Sequence, residues 1–467
     1  MLHRTAFPRH TPFSFFRRYF SIPAGDGVSA RPGTPAEAGT GAGTSPAPFR
    51  EEAVLFSASQ QQIRVSKPVL SEGNGAVTLS VQVTGGVSGT CFYSTDAANR
   101  DFVDESSSDC FLIGLLYTAM YAGCDLVLEG DVSRKLLFHV RHYVMPMLEA
   151  FTDWRLHPVD IRVGGLVSRS YPDADAVGTG FSGGIDSFHT IREFYLDYHG
   201  PPEDRVNTLL FFNVGSHGMG HDKARLAWLE NKFSERRKVL SGYAKDIGLP
   251  FVSVDSNVHA FMQSGHLQTS TLASLSAALF LSRRLRLYYL ASLGISYHDM
   301  FYPGRELERD HDLEKIEDFL LPHLCTETFS AVSGGSACTR VRKTEAICRD
   351  PLVMKYLNVC GNPGTTAKNC SVCFKCLRTM MALEILGELH RFADVFDLKR
   401  FSGRERSRFI ALLLNDRKKD LFFQDLCDLA ERMNYDLKSK TTLATRLYMR
   451  FTETRLYAFL RARLRGA

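Results

Sequence analysis

The sequence predicts an α/β protein, a parallel sheet with helices on both faces, with an α+β region before it and a zinc-knuckle and helical region after it. Three observations predict this. From residue 176 onward, short apolar runs alternate with longer helical patterns, as strands and crossover helices do. One run, residues 207–214 (NTLLFFNV), is almost continuously apolar, as a strand covered on both faces requires. A double glycine, Gly183-Gly184, joins the first run to a helical pattern, where α/β sheets place their ligands.

Composition sets the outer bounds. A chain of 467 residues with 44% hydrophobic and 23% charged residues is not wholly disordered. Eleven cysteines are too dilute for a disulfide scaffold, and four of them crowd together, which points to reduced thiols in an intracellular, cytoplasmic protein. A net charge of +5 on such a length implies no nucleic-acid partner by itself. No run reaches the roughly 18 apolar residues of a membrane span. The nearest, residues 111–123, is closed off by Asp109 and Asp125 and reads as a buried helix.

In chain order, residues 1–50 are expected to be a leader and linker. Arg4, Arg9, Arg17 and Arg18 without an acid resemble a mitochondrial presequence; an upstream extension with no address is the alternative. Residues 24–48 are Gly, Ala, Pro, Ser and Thr, too poor in apolar surface to fold. Residues 51–175 read as an α+β domain. Residues 77–83 alternate as a half-buried strand, a second strand falls near 91–93, and helices fit 109–122, capped by Asp109, and 134–151. A substrate lid, a homodimer surface and packing support are the roles open to it. Residues 176–330 then read strand (175–181), strand (207–214), helix (221–247), strand (250–254), helix (268–293) and strand (297–302). Residues 331–390 hold a cysteine cluster and a helix over 377–389. Residues 391–467 are helical and basic, with 18 Lys and Arg against 10 Asp and Glu.

The first chemical motif is Phe181-Ser182-Gly183-Gly184-Ile185-Asp186-Ser187. Adjacent glycines let the backbone turn tightly against a ligand, and a helix start offers free N–H groups and a positive dipole end. Ser182 and Ser187 add hydroxyls. Asp186 suits helix capping or orienting Mg²⁺. A Walker A loop does not fit, because its Gly-Lys-Ser/Thr end is missing. The second motif is Cys360-x9-Cys370-x2-Cys373-x2-Cys376. Four thiolates at this density suit tetrahedral Zn²⁺, structural because no open position remains; an iron–sulfur cluster is the alternative.

Ser-Gly-Gly-x-Asp-Ser between strand and helix resembles the PP-loop of the ATP pyrophosphatases, the adenine nucleotide α-hydrolase group, at every position. The resemblance implies ATP bound with its α-phosphate open to attack, adenylation of a carboxylate, carbonyl or amide oxygen, and displacement of AMP by nitrogen or sulfur. It also implies that the backbone at Phe212, Asn213 and Val214 holds adenine, and that His217 lies where substrate and ATP meet. The cysteine cluster makes the chain similar to 7-cyano-7-deazaguanine synthases over residues 176–390. That implies an ATP-dependent C–N ligase using ammonia or an amide nitrogen to make an amide or nitrile. Thr339-Arg340-Val341-Arg342-Lys343 resembles the family's basic stretch before a short helix, so Arg340 or Lys343 is expected to face phosphate. The expected catalytic set is therefore Asp186, Ser187, His217, Arg340 and Lys343, and Asp186→Ala is expected to cost activity but little stability. The sequence departs from the family where Tyr-Gly-Gln-x-His is replaced by Val214-Gly215-Ser216-His217, which leaves the acceptor open between a deazaguanine, a sugar and another metabolite. A tRNA-modifying PP-loop enzyme is the competing reading, carried by the basic tail.

Overall fold

The structure, a computed structural model, describes residues 54–56, 61–216, 223–262, 264–292, 295–301, 311–362, 364–365, 367–418 and 420–445. His217, the whole leader of residues 1–50, and the tail beyond residue 445 lie outside the described residues.

Among the described residues, twelve strands form one sheet. They are β1 Leu55–Phe56, β2 Gln62–Val65, β3 Val69–Gly73, β4 Ala76–Gly85, β5 Val87–Asp96, β6 Asp125–Ser133, β7 Ile161–Val167, β8 Ala176–Gly180, β9 Thr208–Asn213, β10 Phe251–Ser256, β11 Leu285–Ala291 and β12 Ser330–Gly334. The order is β12-β11-β8-β9-β10-β5-β4-β2-β6-β7, with β1 on β5 and β3 on β4. Strands β8 to β12 are mutually parallel, so the second half of the sheet is an α/β block. The chain runs outward from β8 to β9 and β10, then returns to β11 on the other side of β8. That reversal makes the carboxyl end of β8 a topological switch point.

The two regions read separately in the sequence share this sheet. Asp255 and Ser256 of β10 pair antiparallel with Ser94 and Tyr93 of β5. Asn257 clamps the joint, donating to the Thr90 carbonyl at 2.8 Å and accepting from the Phe92 N–H at 3.0 Å.

Helices cover both faces. Alternation along β9 sends Leu210 into one apolar core and Leu209 and Phe211 into the other. The first core holds α1, Asp109–Ala122, the uncharged stretch expected to be a buried helix. Its Gly114 permits close packing: a Cβ there would lie 2.5 Å from the Tyr93 hydroxyl. Among the described residues no helix is long and apolar enough to cross a membrane.

Several elements differ from expectation, each for a local reason. Asp109 does not cap α1; Ser108 stands at the N-cap, and the Asp109 carboxylate accepts the Ser133 N–H at 2.8 Å. Residues 134–151 are helical but broken, as α2 Arg134–His139, a π turn Val140–Val144, and α3 Met145–Phe151. Pro146 at the start of α3 lacks the N–H that a continuous α-helix would use. The helix expected over 268–293 is α6, His266–Phe280, followed by β11 (α4 is Ile185–Ile191 and α5 Lys223–Asp246). This strand is covered on both faces: Leu285 and Tyr288 lie in one core and Leu287 and Tyr289 in the other, with an irregularity between Leu285 and Leu287. Residues 297–301 are a short helix, not a strand. The Ser296 hydroxyl and the Asp299 carboxylate cap it reciprocally, at 3.3 and 3.1 Å from each other's N–H. Arg340–Ile347 is itself a helix, α7, capped by Thr339, so the basic stretch lies in the helix and not before it. The helix after the cysteines is α8, Phe374–Ile385.

Candidate functional site

The loop leaves β8 at its switch point. The Phe181 N–H donates to the Leu210 carbonyl at 2.7 Å. Its ring is core rather than site, packed at 4.7 Å on Tyr243 and 5.2 Å on Phe188. Gly183 takes φ +73°, a conformation that favours glycine, and its Cβ would press Leu240 at 3.0 Å. Gly184 is the N-cap of α4, so the helix begins at the turn. Ser182 Oγ accepts the Gly184 N–H at 3.4 Å. Ser187 is buried and donates to the Gly184 carbonyl at 3.0 Å, so its hydroxyl braces the turn instead of facing the cleft.

Asp186 is the centre of the charge arrangement. Arg340 reaches one carboxylate oxygen at 2.6 Å and Lys343 the other at 3.4 Å. The two cations are one turn apart on α7, which is why both face the loop. Burial alone would raise the Asp186 carboxyl, but Arg340, Lys343 and Arg378 outweigh it and hold it below the ordinary carboxylate range. Lys343 is fully buried and also donates to the Ser292 carbonyl at 2.6 Å. Asp186 is therefore not a surface acid whose loss would leave the fold untouched. Each of its oxygens faces one of these cations.

Two further helices bring cations that no sequence pattern marked. Arg236 on α5 donates to the Ser182 carbonyl at 2.6 Å. Lys375 and Arg378 on α8 lie within electrostatic reach of Arg340 and Asp186. Lys375 is exposed by surface area but surrounded by protein. Desolvation there, with repulsion from Arg340 and Arg378, lowers its pKa. Arg378 is 7% exposed, stacks at 4.0 Å from the Phe422 ring, and has no hydrogen-bond partner at Nε. A buried guanidinium held mainly by an aromatic face is a costly group in the absence of an anion. Glu314 completes the cluster; burial pushes its carboxyl up to about 7.

At the neighbouring strand, the β8–β9 ladder ends at the Gly180–Leu210 pair. The backbone of Phe212, Asn213 and Val214 extends beyond it. The Asn213 side chain is engaged by Asp255 at 2.7 Å. Gly215, at φ +108°, passes over His259 and His266, leaving no room for a side chain. Burial, with Lys375 and His259 nearby, pushes His266 down to about 4, so it is neutral at pH 7.

The cysteine cluster follows in the chain, leading into α8. The sulfurs of Cys360, Cys370, Cys373 and Cys376 all lie within 4.8 Å of one another, two of them buried. Cys360 to Cys373 and Cys370 to Cys376 are each 4.0 Å. A tetrahedral Zn²⁺ with bonds of about 2.3 Å needs sulfurs about 3.8 Å apart, so the cage fits the ion. Backbone N–H groups of Asn362 and Cys370 point at Cys360 Sγ at 3.4 Å, and that of Cys373 at Cys370 Sγ at 3.2 Å. These donors would offset thiolate charge. The cluster could hold a metal such as zinc. The other seven cysteines are free thiols.

Asn358 stitches this knuckle to the glycine loop. Its N–H donates to the Gly183 carbonyl at 2.7 Å, and its Oδ1 accepts from the Cys360 N–H at 3.2 Å and from Arg236 at 3.4 Å. Cys373 is the N-cap of α8, so the knuckle also sets where Lys375 and Arg378 stand. The structure thus brings Asp186, Arg340 and Lys343 together and ties the four-cysteine knuckle to the glycine loop through Asn358. Arg236, Glu314, His266, Asn358, Lys375 and Arg378 join them without any local signal in the sequence. No family model, curated protein or solved structure matches the chain.

Proposed function

We propose that the chain is an ATP-dependent ligase of the PP-loop type, similar to the 7-cyano-7-deazaguanine synthases. It would adenylate a small-molecule carboxylate or carbonyl and add nitrogen from ammonia or an amide donor to give an amide or nitrile. The observation that carries this reading is the glycine turn at the β8 switch point, surrounded by cations from three helices: Arg236, then Arg340 and Lys343, then Lys375 and Arg378. Such a cradle suits a polyanion, and the excess of positive charge suits a leaving pyrophosphate.

In this reading the substrate oxygen attacks the α-phosphorus and pyrophosphate departs. Nitrogen then attacks the activated carbon, AMP leaves with the electron pair, and the nitrogen proton passes to a base. Glu314, titrating near neutrality, is the carboxyl best placed by its environment for that proton. The backbone beyond Leu210 would receive the adenine edge. Zinc held by four thiolates would be structural, with no position left for substrate. ATP would bring any Mg²⁺ with it, and no step here is assigned to that ion.

The tRNA reading gains no comparable support. Among the described residues of the tail, Arg391, Arg400, Arg406, Arg408, Arg417 and Arg432 each pair with a carboxylate within 4.0 Å. Ion-paired arginines suit a packed helical region better than a phosphate-binding face. The test is to titrate the full chain with ATP, then supply ammonia and a panel of carboxylic acids while measuring AMP and pyrophosphate. Acid-dependent AMP formation is expected. Failure to bind ATP at all would refute the proposal.

A further inference from the structure

We propose that the helix Leu421–Arg432, α9, is part of the nucleotide site: its Asp425 and Phe422 are positioning residues for Arg340 and Arg378, the cations that meet the phosphate chain. The proposal rests on the ligase reading above and deepens it, because it ties the C-terminal region to the phosphate cradle. Asp420 starts α9, its carboxylate accepting the N–H groups of Phe422 and Phe423 at 2.8 and 3.1 Å. Phe423 and Leu426 then bury into the core shared with Val341 of α7 and Met381 of α8, which fixes α9 against both helices. Phe422 and Asp425, three residues apart, lie on one side of α9, and each reaches a neighbouring helix.

Asp425 holds the start of α7. One of its carboxylate oxygens accepts the Thr339 hydroxyl at 2.9 Å and the other the Val341 N–H at 3.0 Å. The first N–H groups of a helix have no partner within it, so this one depends on α9. Arg340 stands between the two anchored residues. Phe422 holds the guanidinium groups: its ring centre lies 4.0 Å from that of Arg378 and 5.5 Å from that of Arg340. Cations from two helices thus share one aromatic ring, which attracts both and offsets their repulsion. Burial and the Arg340 charge push Arg378 down to about 9, so it stays protonated at pH 7. An aromatic ring orients a guanidinium without using up its N–H donors, as a carboxylate in the same place would. Arg378, only 7% exposed, keeps its Nε donor without a hydrogen-bond partner. A donor held in this way is ready for a phosphate oxygen.

The experiment titrates the full chain by calorimetry with pyrophosphate and, separately, with AMP, which lacks the departing phosphates. Phe422→Leu keeps apolar bulk but removes the ring, Phe422→Tyr restores a ring, and Asp425→Asn removes the charge at the start of α7. Phe422→Leu and Asp425→Asn should each weaken pyrophosphate binding about tenfold and AMP binding less than about twofold, while Phe422→Tyr should bind both like the wild type. Asp428→Asn, exposed on the same helix, should also match the wild type. Urea curves check that each chain starts folded. Equal losses for pyrophosphate and AMP, or a loss in Phe422→Tyr as large as in Phe422→Leu, would overturn the proposal and leave α9 as packing support. A wild type that binds pyrophosphate, with Phe422→Leu and Asp425→Asn matching it, would overturn the role of α9 and leave the ligase reading standing. A wild type that binds neither ligand would overturn both.

Discussion

Replacing Asp186 by Asn is the perturbation whose size the structure fixes best. The change keeps the shape of the side chain and removes its charge. Lys343, with no exposed surface, then keeps only the Ser292 carbonyl at 2.6 Å, and it faces Arg340 without a carboxylate between them. Removing one member of a buried pair strands the other charge and costs about 3–5 kcal/mol. Lys343→Met alone should cost less, about 1–3 kcal/mol, because Arg340 still satisfies Asp186 at 2.6 Å. In the double variant Lys343 is no longer stranded, and Arg340 loses the Asp186 carboxylate just as in the single Asp186→Asn change. The double-mutant cycle should therefore show a coupling of about 1–3 kcal/mol. Arg349→Ala is the control: its partner Glu388 sits at 2.9 Å, but Arg349 is 79% exposed, and solvent screens such a pair so that its loss should leave the unfolding midpoint unchanged. Urea unfolding at pH 7, compared at constant slope, reads all four chains. An Asp186→Asn chain within about 0.5 kcal/mol of wild type, or additive single changes, would refute the buried-pair argument.

Other expectations concern the same cleft. Cys373→Ser should lose one bound zinc and lower the urea midpoint, because metal binding here is coupled to the fold of the knuckle; a metal-free chain of unchanged stability would count against a structural metal. The same variant should also weaken ATP binding, since α8 and its two cations start at Cys373. Arg378→Met should raise stability by about 1–3 kcal/mol, as an apolar chain replaces a buried charge, while weakening ATP binding at least about tenfold. Unchanged ATP affinity would remove Arg378 from the site. For Glu314, the folded carboxyl titrates at about 7 against 4.5 for the ordinary group. Between those values the folded chain keeps a proton that the unfolded chain has released, so stability falls as pH rises. Glu314→Gln should abolish that slope and gain up to about 3 kcal/mol at pH 8; parallel curves for the two chains would show that Glu314 titrates normally.

The glycine loop and the cysteine knuckle were legible in the sequence because each is built from neighbours. Gly183 needs a positive φ within a few residues of a strand end, and Cys370, Cys373 and Cys376 converge because two-residue spacings turn them to one side. The uncharged run of α1 also announced its own burial. By contrast, β11 was hidden inside an apparent helix, since a strand buried on both faces reads as an apolar run with no period of its own, and it follows the helix across only Ser282-Arg283-Arg284. The helical π turn at Val140–Val144 was hidden too, because a single Pro146 can begin a helix as well as break one.

What the sequence by itself determined is the sites of tight local geometry: a turn that only glycine fits, and four thiols spaced for one ion. Only the tertiary structure decided which charges those sites meet. Asp186 is neutralised by a helix more than 150 residues downstream, Asn358 ties the knuckle to the loop, and β10 joins β5 to make one sheet of two apparent domains. Coulomb and hydrogen-bond energies depend on distance in space and on burial, and neither is written in the spacing of residues along the chain.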